Sequence, residues 1–125
     1  MQGLHLTADL RGCAAGRPVM TDTAALRQLC LDAVAEAGLS AVGELFHRFV
    51  PAPGQGHAPS GITGVVLLAE SHLAVHTWPE IEAATLDVYV CNFGADNSAR
   101  AEALMNALIA AFAPATVERN ALSRG

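Results

Sequence analysis

The chain has 125 residues, 52% of them apolar and 15% charged. That is enough for one domain with a real core, and the composition excludes a disordered chain. Seven basic residues against twelve acidic ones leave a net charge of −5, the wrong sign for a protein that tracks nucleic-acid phosphates or an anionic membrane. All seven basic residues are Arg and there is no Lys, which excludes a P-loop lysine, a lysine Schiff base to pyridoxal phosphate and any lysine nucleophile.

Gly3 to Gly12 alternates loosely and reads as an opening strand, followed by a turn region at Gly16-Arg17-Pro18. Thr21-Asp22-Thr23 offers N-caps for a helix in which Leu26, Leu29, Cys30, Ala33, Val34 and Ala37 recur at three- and four-residue spacing, with Gly38 as its C-terminal cap. Ala41 to Val50 reads as a second strand. The three prolines and three glycines of Pro51 to Gly61 predict a mobile loop. Ile62 to Ala69 reads as a buried strand, His72 to Trp78 as another ended by Pro79, and Thr85 to Cys91 as a third with clean alternation. Asp96-Asn97-Ser98 caps a second helix that carries Ala101, Leu104, Met105, Leu108 and Phe112 and stops at Pro114. Ala115 to Leu122 has the pattern of a short final strand. The expected fold is a single α+β domain over residues 1–125, a two-layer sandwich of a mostly antiparallel sheet with two helices on one face.

The cysteines, Cys13, Cys30 and Cys91, are odd in number and have no CxxC spacing. They predict neither a disulfide framework nor a cysteine zinc site, and they fit a reducing cytoplasm. The first fifteen residues mix His5, Asp9 and Arg11 with apolar positions and do not read as a signal peptide. The apolar run Val65 to Ala69 is too short to span a bilayer. Cytoplasmic location, with no metal, membrane or nucleic-acid partner, is the expectation.

Alternation places His72 and His76 on one face of their strand, and Asp87, Tyr89 and Cys91 on one face of the next. Converging titratable groups call for a functional reading, although the open face of an antiparallel sheet is ordinarily polar. Two imidazoles four apart on a strand stand ~13 Å apart, too far to share a zinc ion easily. A Ser71–His76 or Cys91–His76 nucleophile pair is conceivable, but no GxSxG elbow surrounds Ser71. A third possibility answers the missing lysine: a serine converted into an electrophile that holds a substrate amine.

The segment Ala69-Glu70-Ser71-His72-Leu73-Ala74-Val75-His76-Thr77-Trp78-Pro79-Glu80, with the later Asp87-Val88-Tyr89-Val90-Cys91, closely resembles the self-cleavage region of the prokaryotic S-adenosylmethionine decarboxylase proenzymes. The likeness extends to His5 through Cys13, Phe46 to Phe49, Gly61 to Val65 and the closing Arg124-Gly125. The resemblance implies self-cleavage between Glu70 and Ser71 into a β chain of residues 1–70 and an α chain of residues 71–125. Ser71 then becomes a pyruvoyl group, a ketone that condenses with the substrate amine and accepts the electrons released as CO₂ leaves.

By the same resemblance His76 takes a proton during ester breakdown, and Thr63 stands where the family has a Ser that helps processing. Cys91 matches the acid that reprotonates the decarboxylated carbon. Glu80 matches a carboxylate for the substrate ribose, and Phe49 an aromatic beside adenine or the sulfonium. Trp78 reads as structural or as pocket wall. The implied protein is a homodimer of cleaved protomers, with active sites near their interface, that makes the aminopropyl donor for spermidine synthesis.

This sequence departs from the family at Ile81-Glu82-Ala83-Ala84, where aromatics are usual, at Asn92, where Gly is common, at Arg11 and in the longer Pro51–Gly61 loop. These departures keep open a rival reading, a pyruvoyl decarboxylase of ornithine or arginine, with Glu82 suiting a cationic side chain. An unprocessed regulatory homologue is the further alternative.

Overall fold

Six strands form one antiparallel sheet in the order β2-β3-β4-β5-β1-β6: β1 (Gly3–Arg11), β2 (Ala41–Arg48), β3 (Ile62–Leu68), β4 (Ser71–Trp78), β5 (Ala83–Cys91) and β6 (Thr116–Arg124). They belong to a computed structural model that describes residues 2–51, 53, 54, 56 and 60–125. Three helices, α1 (Pro18–Thr21), α2 (Thr23–Glu36) and α3 (Ser98–Phe112), accompany the sheet, and a single 3-10 turn at Pro79–Ile81 links β4 to β5. The α+β expectation holds. Part of the proline- and glycine-rich loop, residues 52, 55 and 57–59, lies outside the described residues.

Alternation decides which face is dry. Leu6, Ala8 and Leu10 of β1, Ile62 and Val66 of β3, Leu73 and Val75 of β4, and Leu86, Val88 and Val90 of β5 are buried in one cluster with Met20, Leu26, Cys30, Val34, Leu104, Leu108 and Phe112 from the helices. The helix ends follow local chemistry. The Asp22 side chain accepts hydrogen bonds from the Ala24 and Ala25 N–H groups at 3.0 and 3.3 Å and so caps α2. At the other end Gly38 adopts φ 82°, and its N–H and that of Leu39 donate to the carbonyls of Ala35 and Val34, the Schellman arrangement.

Two local expectations change. Pro18 opens a short helix instead of closing a turn region, because the first helical position needs no backbone N–H. Strand β2 stops at Arg48, two residues early, where the Phe49 N–H turns to the Gly61 carbonyl at 2.9 Å. The short helix is tied down by one buried hydroxyl. Thr77 Oγ1 donates to the Met20 carbonyl at 2.9 Å and accepts the Ile62 N–H at 2.9 Å.

Replacing Thr77 by Val keeps the shape and strips both bonds, leaving a buried carbonyl and a buried N–H unmatched. The expected loss is ~2–4 kcal/mol in urea unfolding, whereas a change below ~0.5 kcal/mol would mean that water or a backbone shift replaces the hydroxyl.

Candidate active site

The uncovered face carries most of the polar side chains, Ser71 lying instead on the Leu73–Val75 side of its strand, and the strand register sorts the candidate residues into two groups. At one end Ser71 begins β4 directly after a two-residue turn, paired across it with Leu68. Its Oγ accepts the Cys91 N–H at 3.0 Å, so the serine and the cysteine expected from sequence are neighbours. Cys91 ends the row Thr85, Asp87, Tyr89 on the open face of β5. Gly3 lies opposite Cys91 on β1. A Cβ on Gly3 would stand 2.8 Å from the Tyr89 hydroxyl and from the Val90 carbonyl, so only glycine leaves room for that tyrosine ring.

At the other end β4 brings His76 opposite Thr63 of β3, and Thr63 Oγ1 and His76 Nδ1 are hydrogen-bonded at 3.0 Å. The His76 ring stacks on Trp78 with centroids 5.8 Å apart. Phe49, Thr63, His76, Trp78 and Glu80 all line a cleft of about 490 Å³, a volume suited to a small organic ligand. Glu80 stands in the 3-10 turn, and Phe49 meets His47 edge-on at 5.0 Å. Trp78 is therefore a wall of the cleft, as expected.

One chain does not unite the two groups. Ser71 and His76 are five residues apart on an extended strand, about 17 Å, and their side chains leave it on opposite faces. Neither a Ser71–His76 nor a Cys91–His76 nucleophile pair exists within a protomer. The His72–His76 metal reading meets the same obstacle, and among the described residues no three His, Cys, Asp or Glu side chains gather around a common point.

Between the groups lies a cluster that strand-by-strand reading only half finds. His5 Nε2 meets Asp87 Oδ1 at 2.7 Å, and His72 Nε2 stands 3.5 Å from the same oxygen. The ring of Tyr89 packs against both imidazoles, 5.9 Å from His5 and 5.8 Å from His72, which are themselves 6.4 Å apart, with the Arg124 guanidinium 5.5 Å from its centroid. Alternation puts each residue on this face, but only the register of β1 beside β5, and of β6 beside β1, brings His5 and Arg124 to it.

Glu82 does not join the cleft. Its carboxylate accepts the Ala15 N–H at 3.2 Å, and its carbonyl accepts the Cys13 N–H at 2.8 Å. It fastens the segment after β1, so the observation behind a cationic amino-acid substrate fails.

The three cysteines are free and differ in environment. Burial pushes the Cys30 thiol up to about 12. Burial, then the Glu82 carboxylate, raises that of Cys13. Cys13 and Cys30 are fully enclosed, while Cys91 keeps 8% of its surface exposed.

The sequence profile described as S-adenosylmethionine decarboxylase matches residues 4–125. An S-adenosylmethionine decarboxylase proenzyme of Symbiobacterium thermophilum is 37% identical over 106 residues, 85% of this chain and 73% of that one. The Aquifex aeolicus proenzyme is 36% identical over 123 residues, 98% of this chain and 81% of that one. The crystal structure of the adenosylmethionine decarboxylase from Aquifex aeolicus superposes with a TM-score of 0.83 at 34% identity, covering 98% of this chain and 90% of that one. The Trypanosoma brucei AdoMetDC-delta26 monomer shares the fold alone, with a TM-score of 0.56 at 12% identity over 93% of this chain and 44% of that one.

Alkylation of the native protein at pH 8 is expected to mark Cys91 first and to leave Cys30 untouched, since a thiol titrating near 12 is ionised only to ~10⁻⁴ at that pH. Peptide mapping reads the order, and early labelling of Cys30 would contradict its burial.

Proposed function

The chain belongs to the S-adenosylmethionine decarboxylase family, and from that premise we propose that it is a self-cleaving, pyruvoyl-dependent decarboxylase of S-adenosylmethionine. The observation that supports this reading is the hydrogen bond from the Cys91 backbone N–H to Ser71 Oγ at the start of β4, next to the bond that the family motif marks for cleavage. A pyruvoyl group fits here. Ser71 would supply its three carbons, and the Cys91 N–H at 3.0 Å holds the Oγ that must first attack the Glu70 carbonyl and then leave with it. Such a group supplies an electron sink for the pair released with CO₂.

The remaining residues bind, orient and move protons. In the tautomer that has its proton on Nδ1, His76 donates to Thr63 Oγ1 at 3.0 Å and keeps the Nε2 lone pair to take a proton during processing. Cys91 Sγ delivers a proton to the substrate carbon after CO₂ departs. In the cleft, Phe49 and Trp78 offer aromatic faces to a purine or a sulfonium, and the Glu80 carboxylate accepts hydrogen bonds from ribose hydroxyls. That lining suits a nucleoside better than the side chain of ornithine or arginine, since Glu82 is engaged elsewhere. Free, buried cysteines accord with a cytoplasmic enzyme.

The separation of the two groups argues for a homodimer in which each site draws on both copies. Leu45, Leu67, Trp78 and Leu122 lie exposed on the uncovered face, apolar surface that a second sheet would cover. A two-fold axis across β4 sets the strand of one copy against the reversed strand of the other. The sheet end that carries Cys91 on its open face, with Ser71 at the strand terminus beside it, then lies over the Thr63–His76–Glu80 end of its partner, across the ~10 Å between packed sheets.

Intact mass spectrometry of the purified protein tests the first half. Two chains, residues 1–70 and residues 71–125 with pyruvoyl in place of Ser71, are expected, with CO₂ released from S-adenosylmethionine and not from ornithine or arginine. An uncut chain after long incubation, or release from ornithine or arginine alone, would overturn the reading.

Complementation tests the second half. Cys91→Ala and Glu80→Gln variants are each expected to be nearly inactive. Co-expressed, they should recover about a quarter of the wild-type activity, because half of randomly paired dimers are mixed and each mixed dimer holds one intact site. Absence of recovery would place both groups in a site made by one copy.

A further inference from the structure

Among the described residues three non-glycine residues have left-handed backbone: Glu70 at φ 53°, Glu82 at φ 50° and Ala113 at φ 45°. Two of them have an evident structural reason. The Glu82 carboxylate and carbonyl each accept a backbone N–H from the segment after β1. Ala113 closes α3, with its N–H donating to the Ile109 and Ala110 carbonyls. Glu70 has neither compensation. Its side chain is exposed and makes no hydrogen bond or ion pair among the described residues.

The strain comes from the hairpin. Leu68 pairs directly with Ser71, so the turn between β3 and β4 has only Ala69 and Glu70. Ala69 keeps a negative φ, and the second residue must turn left-handed, a position that such turns fill with Gly or Asn. A side chain with a Cβ is disfavoured there. The residue so held carries the carbonyl of the Glu70–Ser71 bond.

We propose that Glu70 contributes to self-cleavage through its backbone conformation: the left-handed turn strains the Glu70–Ser71 amide, and the acyl shift to Ser71 releases that strain. The inference rests on the self-cleaving reading above and deepens it. In the shift, Ser71 Oγ loses its proton and forms a bond to the Glu70 carbonyl carbon. The bond from that carbon to the Ser71 nitrogen breaks, and the nitrogen takes a proton, leaving an ester and a free amine. The path from the Glu70 carbonyl carbon to the Ser71 Cα then runs through two atoms, Oγ and Cβ, where the amide had one. That extra atom frees the turn from its left-handed residue. The Cys91 N–H holds the attacking oxygen in place at 3.0 Å. Glu70 is thus a positioning residue, acting through the turn and not through its carboxylate.

The test compares two pairs of variants, each matched in side-chain chemistry but not in tolerance of left-handed backbone. Glu70→Ala and Glu70→Gln keep the strain, whereas Glu70→Gly and Glu70→Asn relieve it. Freshly refolded proenzyme is followed by mass for the appearance of the 71–125 chain. The Ala variant should cleave about five times faster than the Gly variant, equivalent to ~1 kcal/mol at 1.4 kcal/mol per tenfold. The Gln variant should likewise outpace the Asn variant, and the Ala variant should stay within a few-fold of wild type.

A purely structural role would make stability and cleavage move together. Here they should move in opposite directions. In a Ser71→Ala background, where no cut occurs, Glu70→Gly should melt a few degrees above Glu70→Ala. Equal cleavage rates within both pairs would overturn the proposal. So would failure of the Ala and Gln variants to cut while wild type does, because the carboxylate would then be the active element. A wild-type chain that stays whole would instead overturn the self-cleaving reading, and this proposal with it.

Discussion

An extended strand advances about 3.4 Å per residue and turns alternate side chains to opposite faces, and β4 is held to that geometry by partners on both sides. Thr63 to Leu68 pair with it along one edge, and Ala83 to Tyr89 along the other. No hinge or bulge interrupts either ladder, so Ser71 and His76 cannot approach each other without unzipping the middle of the sheet. The β4 ladders thereby fix the distance between the two groups and which end of the sheet each occupies.

The closed face makes that rigidity possible. Leu73 and Val75 of β4 are enclosed between neighbouring strands and helices, and Thr77 uses both sides of its hydroxyl to join α1 to β3. Among the described residues no buried side-chain nitrogen or oxygen lacks a partner. Unmatched buried polarity would soften the sheet where the site needs it stiff. The open face has the opposite character, with half-buried imidazoles, a carboxylate between two of them and exposed leucines. A polar row with an apolar border suits contact with a second surface better than permanent exposure to water.

Positions that break local rules mark the site more sharply than pocket shape does. The cleft by Trp78 lacks Ser71 and Cys91, so a search by cavity alone would find only half of the chemistry. The left-handed Glu70 and the Gly3 that makes room for Tyr89 lie at the other half. Both give up conformational freedom for geometry, and both flank the hydrogen-bonded pair of Ser71 and Cys91.

From the sequence came the strands, the two long helices, the buried faces and the pattern around Ser71, because each is written in local periodicity, capping chemistry or a contiguous motif. The one-turn helix at Pro18 was hidden because four residues are too few to show a period. The true setting of Glu82 was hidden too, because its partners at Cys13 and Ala15 lie some seventy positions away in the chain. The motif placed Ser71, His76 and Cys91 in one list without saying which of them touch. That was decided by the order and register of the strands, which rest on the sum of many long-range contacts across the sheet. Register sets His76 opposite Thr63, brings His5 diagonally to Asp87 and the Ser71 hydroxyl to the Cys91 N–H, and holds Ser71 and His76 apart.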